Sequence, residues 1–511
     1  VKAHAAGLTA VIFALVTGAF LTWLLAFRFV LSNDEGIFLE GALRILHGQV
    51  PYRDFFLLMG PGTFWLQALA LRTLGVTLAA SRAVTILDYS ILAGCVVWLI
   101  ARRASPLIAI WFGWLFIVFE TSEPVGALPN HRWDSAAFAM LATTLLVRAI
   151  SGQAVPTAVA KMTWILTLAA GVCAGCAAWI TPSMAVIGLA LIAWMAVEDR
   201  ARLLPFCAGA AAVTLVCAGA LAAQHALRPM IEHMLWTGRN YGAVNHMPYG
   251  SRVGGYAWLF QHAEGAGELF TMALFVLTLT LPAILPPLGL ACAWPDRKDR
   301  ETRLLAVAGV AFLASAYPRM DVPHLAYVAP IFYVLLAQGT SRLKIGGFAK
   351  AGALSVSLLA AIFLYYGISQ RASEVVLHTR VGTIRASGDD VGLIEQITQQ
   401  IPPHESLFAF PYSPMTYFLT FGENPTRYSY LQPGMMSDAD ESAALAELIA
   451  HPPRRIFYQN VPASEILKIW PPTDPARLRL HKIEDYLATR YQFHSFIPYH
   501  GGSFAILMPR D

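Results

Sequence analysis

"SNDEGIFLEGALRILHGQVPYRDFF" (residues 32–56) follows directly on the first long apolar run of the chain, which extends from about Thr9 to Val30. A run of that length spans the roughly 30 Å of hydrocarbon in a bilayer. Straight after it stand Asp34 and Glu35, then Arg44, His47, Arg53 and Asp54. An isolated acidic pair beyond a span reads as an ordinary polar loop. The residues that follow point to order instead: Leu39, Leu43 and Leu46 share one face of a short helix that ends near Gly48 and Pro51. Such a helix is expected to lie on the membrane surface and to hold Asp34 at the bilayer boundary.

The rest of the chain supports a membrane setting. Of 511 residues, 56% are hydrophobic and 13% charged, against about a quarter charged in a soluble domain. The first run is expected to be a retained span, because it exceeds the 7–15-residue core of a signal peptide and no small-residue cleavage site follows. A net charge of +4 spread over this length gives no reason to expect a nucleic-acid partner. Of six cysteines, five lie in apolar runs and Cys292 near the end of one. Cys173 and Cys176 have C-x-x-C spacing without a third ligand nearby, which reads as helix packing. Gly171 and Gly175 in the same run add a G-x-x-x-G pair for close approach.

Eleven spans are predicted, near 9–30, 83–101, 106–120, 135–150, 161–180, 183–197, 203–222, 268–290, 303–317, 322–338 and 347–366. Arg102-Arg103, Arg148 with Lys161, Arg200 with Arg202, "DRKDRETR" (296–303) and "SRLK" (341–344) then fall on one side. The positive-inside rule makes that side the cytoplasm, with the N-terminus inside and the C-terminal tail outside. The segment "GPGTFWLQALALRTLG" (60–75) is apolar but short and carries Arg72, so it is expected to lie on the outer surface or dip into it. From about Gln370 the composition turns polar. Strands are predicted at 406–411, 454–460 and 503–509, and an amphipathic helix at 438–450. The expected architecture is a helical polytopic membrane domain (residues 1–368) followed by a small extracytoplasmic α/β domain (residues 369–511).

The run D-E-G-x-x-x-x-x-A-L-x-x-L-x-G-Q-x-P-Y-R-D-F-F, then G-P-G-T-F-W, L-G and S-R-A, all within 33–103, resembles membrane glycosyltransferases of the GT-C fold. The resemblance is to the branch that holds protein O-mannosyltransferases and lipid A aminoarabinose transferases. It implies a polyprenyl-phosphate-linked sugar as donor, an inverting transfer of a hexosyl or pentosyl group, and a carboxylate matching Asp34 as general base. Glu35 would orient Asp34 or the acceptor. It also implies a second acidic site residue at the start of a later span, which Asp134 fits, with His131 and Arg132 beside it. Asp134 reads equally as a helix N-cap. A divalent metal held by Asp34, Asp134 and His131 stays open. One position departs from the aminoarabinose branch, which carries a Lys before the proline after the first loop. Met59 and Gly60 stand there, so Arg53, Arg239 or Arg319 would have to meet the phosphate.

Elementary chemistry agrees with this expectation. A donor whose tail stays in lipid presents its phosphate at the bilayer boundary, and a hydroxyl nucleophile needs a base within about 2.6–3.2 Å. "YPRMDVPHLAYVAP" (317–330) crowds Arg319, Asp321 and His324 together. The fork of Arg319 suits phosphate, although a local Arg319–Asp321 ion pair explains the pattern as well. The loop read at 228–256 combines Arg239, Arg252, His233 and His246 with Trp236, Tyr241, Tyr249 and Tyr256. That mixture suits either a sugar-binding surface or an interfacial aromatic belt. The sequence leaves the acceptor open between glycan, lipid and protein, with membrane lipids as surroundings. Two rivals stand beside the enzyme reading. A transporter or flippase of a lipid-linked sugar would place its charges at mid-membrane in broken helices. A catalytically dead scaffold would have no need of Asp34 and Asp134.

Overall fold

The computed structural model describes residues 2–121, 127–151, 158–252, 265–340, 347–499 and 502–510. The basic segment 341–344, the start of the 123–138 stretch, and Gly254, Gly255 and Tyr256 lie outside the described residues.

The chain opens with α1 (Lys2–Leu25), the short helices α2 (Asn33–Leu46) and α3 (Gly62–Leu74), then α4 (Leu78–Ala101), α5 (Pro106–Glu120) and α6 (His131–Ser151). Next come α7 (Ala158–Ile180), α8 (Ala185–Glu198), α9 (Leu203–Ala223), α10 (Leu227–Asn245) and α11 (Ala266–Ala293). α12 (Arg300–Ser315), α13 (Val322–Ala326), α14 (Ala329–Thr340) and α15 (Gly347–Ala372) complete the helical part.

Among the described residues, seven stretches are long and apolar enough to cross a membrane: His4–Leu25, Leu78–Ala101, His131–Ser151, Lys161–Ile180, Arg200–Ala223, Ala266–Asp296 and Gly352–Ala372. The chain is a multi-pass membrane protein. All eleven expected positions carry helix, and seven of them are by themselves long and apolar enough to cross. Pro106–Glu120, Pro182–Glu198 and Ala329–Gly339 are apolar but shorter. α12 has 16 residues and carries Arg300, Glu301 and Arg303. The run at 322–338 breaks in two because Pro330 has no N–H to give the Ala326 carbonyl. The 13 residues of α3 reach about 20 Å at 1.5 Å each, short of a bilayer core. The segment from 228, read as a loop, is helical through Asn245 and begins with an Arg228–Glu232 pair at 2.9 Å, one turn apart. Small residues bring α7 and α9 together: a Cβ on Gly171 would stand 2.0 Å from the Phe206 carbonyl oxygen.

Past the membrane helices, β1 (Val375–Thr379) and β2 (Gly382–Ala386) form a hairpin. The chain beyond α1 joins this hairpin, with Phe29 N donating to Arg385 O at 2.7 Å and Arg385 N to Phe27 O at 2.6 Å. α16 (Asp389–Gln400), β3 (Leu407–Phe410), α17 (Met415–Thr420), α18 (Asp438–Ala450), β4 (Arg455–Gln459), α19 (Ala463–Ile469), α20 (His481–Arg490), β5 (Tyr491–Tyr499) and β6 (Gly502–Pro509) follow. β3, β4, β6 and β5 make one sheet in that order, parallel only between β3 and β4. α18 starts where its sequence signals predict, with Ser437 and Asp440 closing a capping box. The hairpin 375–386 and strand β5 were not read from the sequence.

α2 does not lie open on a membrane surface as its periodicity predicts. Glu35 to Arg44 are all buried, because the C-terminal region covers the helix. Ser32 caps it, accepting from Glu35 N, and Asp34 and Glu35 sit where the helix dipole favours acids. Leu39 and Leu43 pack into one cluster with Ala68 and Leu71 of α3 and Met415, Phe418 and Leu419 of α17 and its end. Gly36 permits the contact: a Cβ there would fall 2.3 Å from Met415 N. Gly36→Ala is therefore expected to cost about 1–3 kcal/mol as an overpacking change. Gly242→Ala, with nothing within 4 Å of the added carbon, serves as control. Thermal unfolding in detergent checks this: equal midpoints for the two variants would contradict the proposed fit.

Candidate active site

A cavity of about 710 Å³ opens where α2, the start of α6, α10, α11, the 317–324 segment and the C-terminal region meet. Of the residues selected from sequence, Asp34, His131, Arg132, Arg319 and His324 line it. Glu35, Asp134, Arg53 and Arg239 are not among its lining residues.

Asp34 occupies the second position of α2. Its carboxylate has accessible surface only because it faces the cavity, and the surrounding walls desolvate it. That burial pushes its pKa above the ordinary carboxylate value, opposed by a hydrogen bond from Tyr412 and by the charge of Arg319. The Tyr412 hydroxyl donates to Asp34 Oδ1 at 3.1 Å. Burial, then the neighbouring Asp34, keeps the Tyr412 phenol protonated.

Cationic groups gather on the membrane-helix side. Arg132 is buried, and its Nη1 has no hydrogen-bond partner among the described residues. Arg319 is held instead, its Nε donating to Asp321 Oδ2 at 2.9 Å and its Nη1 to Asn245 Oδ1 at 3.0 Å. The two segments that carry it are zipped together, with Met247 N donating to Pro318 O at 3.1 Å and Gly250 N to Met320 O at 2.9 Å. His324 Nδ1 lies 2.5 Å from Asp321 Oδ1. Burial, with Arg132 and Arg319 adding and Asp321 opposing, pushes His324 down to about 4. It is thus neutral near pH 7, Nδ1–H donates to Asp321, and Nε2 is left as an acceptor. Burial also works against the Asp321 charge, but His324 and Arg319, both donating hydrogen bonds to it, outweigh this and hold the carboxyl below its usual range. His131 Nδ1 lies 2.7 Å from Thr181 Oγ1, whose hydroxyl donates back to His131 O at 3.1 Å.

The remaining selected residues stand behind or beside this cavity. Glu35 forms a bidentate pair with Arg82 of α4, at 2.6 and 2.9 Å, both side chains almost fully buried. Asp134 accepts from Thr63 of α3 at 2.6 Å and is itself buried. Arg53 pairs with Asp54 at 2.8 Å on an exposed surface, and Arg239 is exposed on α10. Asp34, His131 and Asp134 do not fit a metal. Among the described residues no three His, Cys, Asp or Glu side chains gather closely enough to hold one.

Sequence reasoning missed several lining groups. Glu120 ends the apolar run of α5, with the Tyr333 hydroxyl 3.5 Å from its Oε1. Its signal was available: an acid at the end of an apolar run, as at Asp34. Met234, Thr237 and Asn245 line the cavity at helical spacing along α10, together with Tyr241, which the sequence had already offered for a sugar-binding surface. That periodicity went unused while the segment read as a loop. Tyr412, Tyr430 and Gln432 come from the stretch 410–434, whose Tyr and Pro density the sequence leaves open between an acceptor cleft and a packed core with surface turns, and Trp470, further on, had no local signal.

The fold is that of the GT-C membrane glycosyltransferases. The crystal structure of ArnT from Cupriavidus metallidurans bound to undecaprenyl phosphate matches with a TM-score of 0.58 and 13% identity, over 97% of each chain. The same protein in its apo state matches with a TM-score of 0.58 and 14% identity, again over 97% of each. The Archaeoglobus fulgidus oligosaccharyltransferase in the apo form gives a TM-score of 0.53 and 11% identity, over 88% of this chain and 69% of that one. At these identities the likeness is one of fold. No family model matches the sequence, and no curated protein does.

The Glu35–Arg82 pair yields a prediction. Removing one partner of a buried ion pair strands the other charge, at about 3–5 kcal/mol. Glu35→Gln is expected to lower the thermal midpoint accordingly, and an unchanged midpoint would show that the pair does not hold α2 on α4.

Proposed function

We propose that this protein is an inverting glycosyltransferase that moves a sugar from a polyprenyl-phosphate donor to an acceptor hydroxyl. In this reading it works at the outer face of a bacterial cytoplasmic membrane, with the N-terminus in the cytoplasm and residues 369–511 outside. The observation that carries it is the meeting, in one cavity, of Asp34 and an arginine, Arg132, with a buried and unpartnered Nη1. The undecaprenyl phosphate bound in the ArnT crystal structure, which has the same fold, supports the choice of donor.

The chemistry follows from the placement. Asp34, ionised, accepts the proton of the acceptor hydroxyl. The oxygen attacks the anomeric carbon from the side opposite the phosphate, the carbon–oxygen bond to phosphate breaks, and its electron pair leaves on the phosphate. Inversion results from that single displacement. Arg132 supplies donors to the departing phosphate, and Arg319 adds a charge that Asp321 and Asn245 hold in place. Arg132 thereby takes the role that the sequence favoured for Arg319. Glu35 and Asp134 act through the scaffold, fixing α2 on α4 and α3 on α6. Neutral His324 keeps Asp321 oriented without adding a third positive charge.

Asp34→Asn is expected to lower turnover by about 10²–10⁴-fold, the usual contribution of a general base. It should also enrich a polyprenyl-phosphate sugar among co-purified lipids, read by mass spectrometry. Only bulk phospholipid in wild type and variant would count against the donor. Arg132→Gln should weaken undecaprenyl phosphate binding by about tenfold to a hundredfold, the loss of one charge-assisted bond.

The pH dependence has a definite sign. A base works when deprotonated, so activity rises with pH through the Asp34 pKa, which burial has raised. The Tyr412 hydroxyl stabilises the carboxylate and holds that pKa down. Tyr412→Phe should therefore move the acidic limb of the rate profile to higher pH. A limb that stays put would mean that Asp34 is not the titrating base.

A further inference from the structure

The wall that the C-terminal region contributes to the cavity differs in kind from the wall opposite. Every described lining residue from Pro411 onward is uncharged, whereas the charged and titratable ones other than tyrosine all come at or before His324. Tyr412, Tyr430 and Trp470 form an aromatic cluster on it, the Tyr412 ring centroid lying 5.0 Å from Tyr430 and 5.9 Å from Trp470. Gln432 stands beside them, only 5% exposed, and its Nε2 has no hydrogen-bond partner among the described residues. A buried amide donor left unpaired is destabilising, so this one points to an occupant of the cavity. The Tyr412 hydroxyl reaches Asp34, so this wall begins at the base itself.

We infer that this wall holds the acceptor, and that the acceptor is an uncharged saccharide rather than a phosphorylated one. The inference rests on the transferase reading above. Aromatic rings pack against the apolar C–H face of a sugar ring, and amides exchange hydrogen bonds with its hydroxyls. An acceptor carrying phosphate would place an anion on a wall that contributes no cation among its described residues, and the Arg319 charge that reaches Tyr412 is already paired with Asp321, so its desolvation cost is poorly offset. The wall also continues outward. A recess of about 280 Å³ shares Pro411, Pro433, Gln459, Val461 and Ile466 with the main cavity. Its charged lining residues, Arg479 and Glu484, are paired with each other at 2.5 Å. A second sugar unit of the acceptor extends into that recess.

Saturation-transfer difference NMR on the full-length protein, in a detergent without a sugar headgroup, tests this. The probes are the methyl glycosides of glucose, mannose, galactose and N-acetylglucosamine, the 6-phosphates of the same sugars, and undecaprenyl phosphate. At least one neutral glycoside should receive saturation, and the signal should fall by about fivefold or more in Gln432→Leu and in Trp470→Ala. Both variants should still bind undecaprenyl phosphate, which controls for folding, and Arg132→Gln should keep the glycoside signal. Saturation of the 6-phosphates alone, or of no sugar, overturns the inference. So does a glycoside signal unchanged in both wall variants. Wild-type protein that fails to bind undecaprenyl phosphate overturns the transferase reading itself, and this inference with it.

Discussion

The candidate site depends on how Glu40 ties α2 to the C-terminal region. Its Oε1 accepts from Arg44 Nε at 2.5 Å, one turn along the same helix, and from Asn424 Nδ2 at 3.4 Å. The Ser429 hydroxyl donates to its other oxygen. Arg44 in turn donates to the Thr426 carbonyl at 2.8 Å. All of this is buried, where an ion pair survives only if its remaining donors and acceptors are satisfied. Almost three turns before Arg44 the same helix presents Asp34, and from the same covering region comes Tyr412. The network thus brings a carboxylate from residue 34 and a phenol from residue 412 to 3.1 Å of each other. Gly36, with no side chain to hold Met415 away, makes the approach close enough for both contacts.

This arrangement explains why two adjacent acids have different surroundings. Successive residues on an α-helix are turned by about 100°. Asp34 faces the cavity and Glu35 faces α4, where Arg82 meets it with two hydrogen bonds. Grouping the pair left out that turn between neighbours on a helix. The helix itself was legible from Leu39, Leu43 and Leu46, and it decides the matter. What the periodicity could not reveal was its burial, because the cover arrives from a region nearly four hundred residues later.

The same distinction between local and distant runs through the whole chain. Apolar runs announce helices locally, so every expected membrane position is helical. Length and interruption decide which of them reach across, and Pro330 is the kind of residue that interrupts. His131, Arg132, Arg319 and His324 were legible because charge at the end of an apolar run is costly unless something faces it. Tyr412 and Gln432 sit in a stretch whose Tyr and Pro density suits an acceptor cleft and a packed core equally, and Trp470 in one of mixed composition that carries no such mark. Their place in the cavity follows from the tertiary contact of α17 with α2, which no local pattern encodes.

The separation of the two walls also bears on the rival transport reading. A carrier must open its site to each side in turn, through broken helices that rock about it. Here the helix that carries Asp34 is fixed on one side by the Glu35–Arg82 pair to α4 and by packing on α3, and on the other by a folded region packed backbone to backbone against Gly36. Opening that side would expose Glu40 and Arg44 and break their shared network, a large penalty for each cycle. A rigid base with cations on one wall and uncharged aromatic and amide groups on the other suits a reaction between two bound molecules. Under the proposed function, the donor's phosphate would be held where charge is welcome, and the nucleophile would wait where it is not.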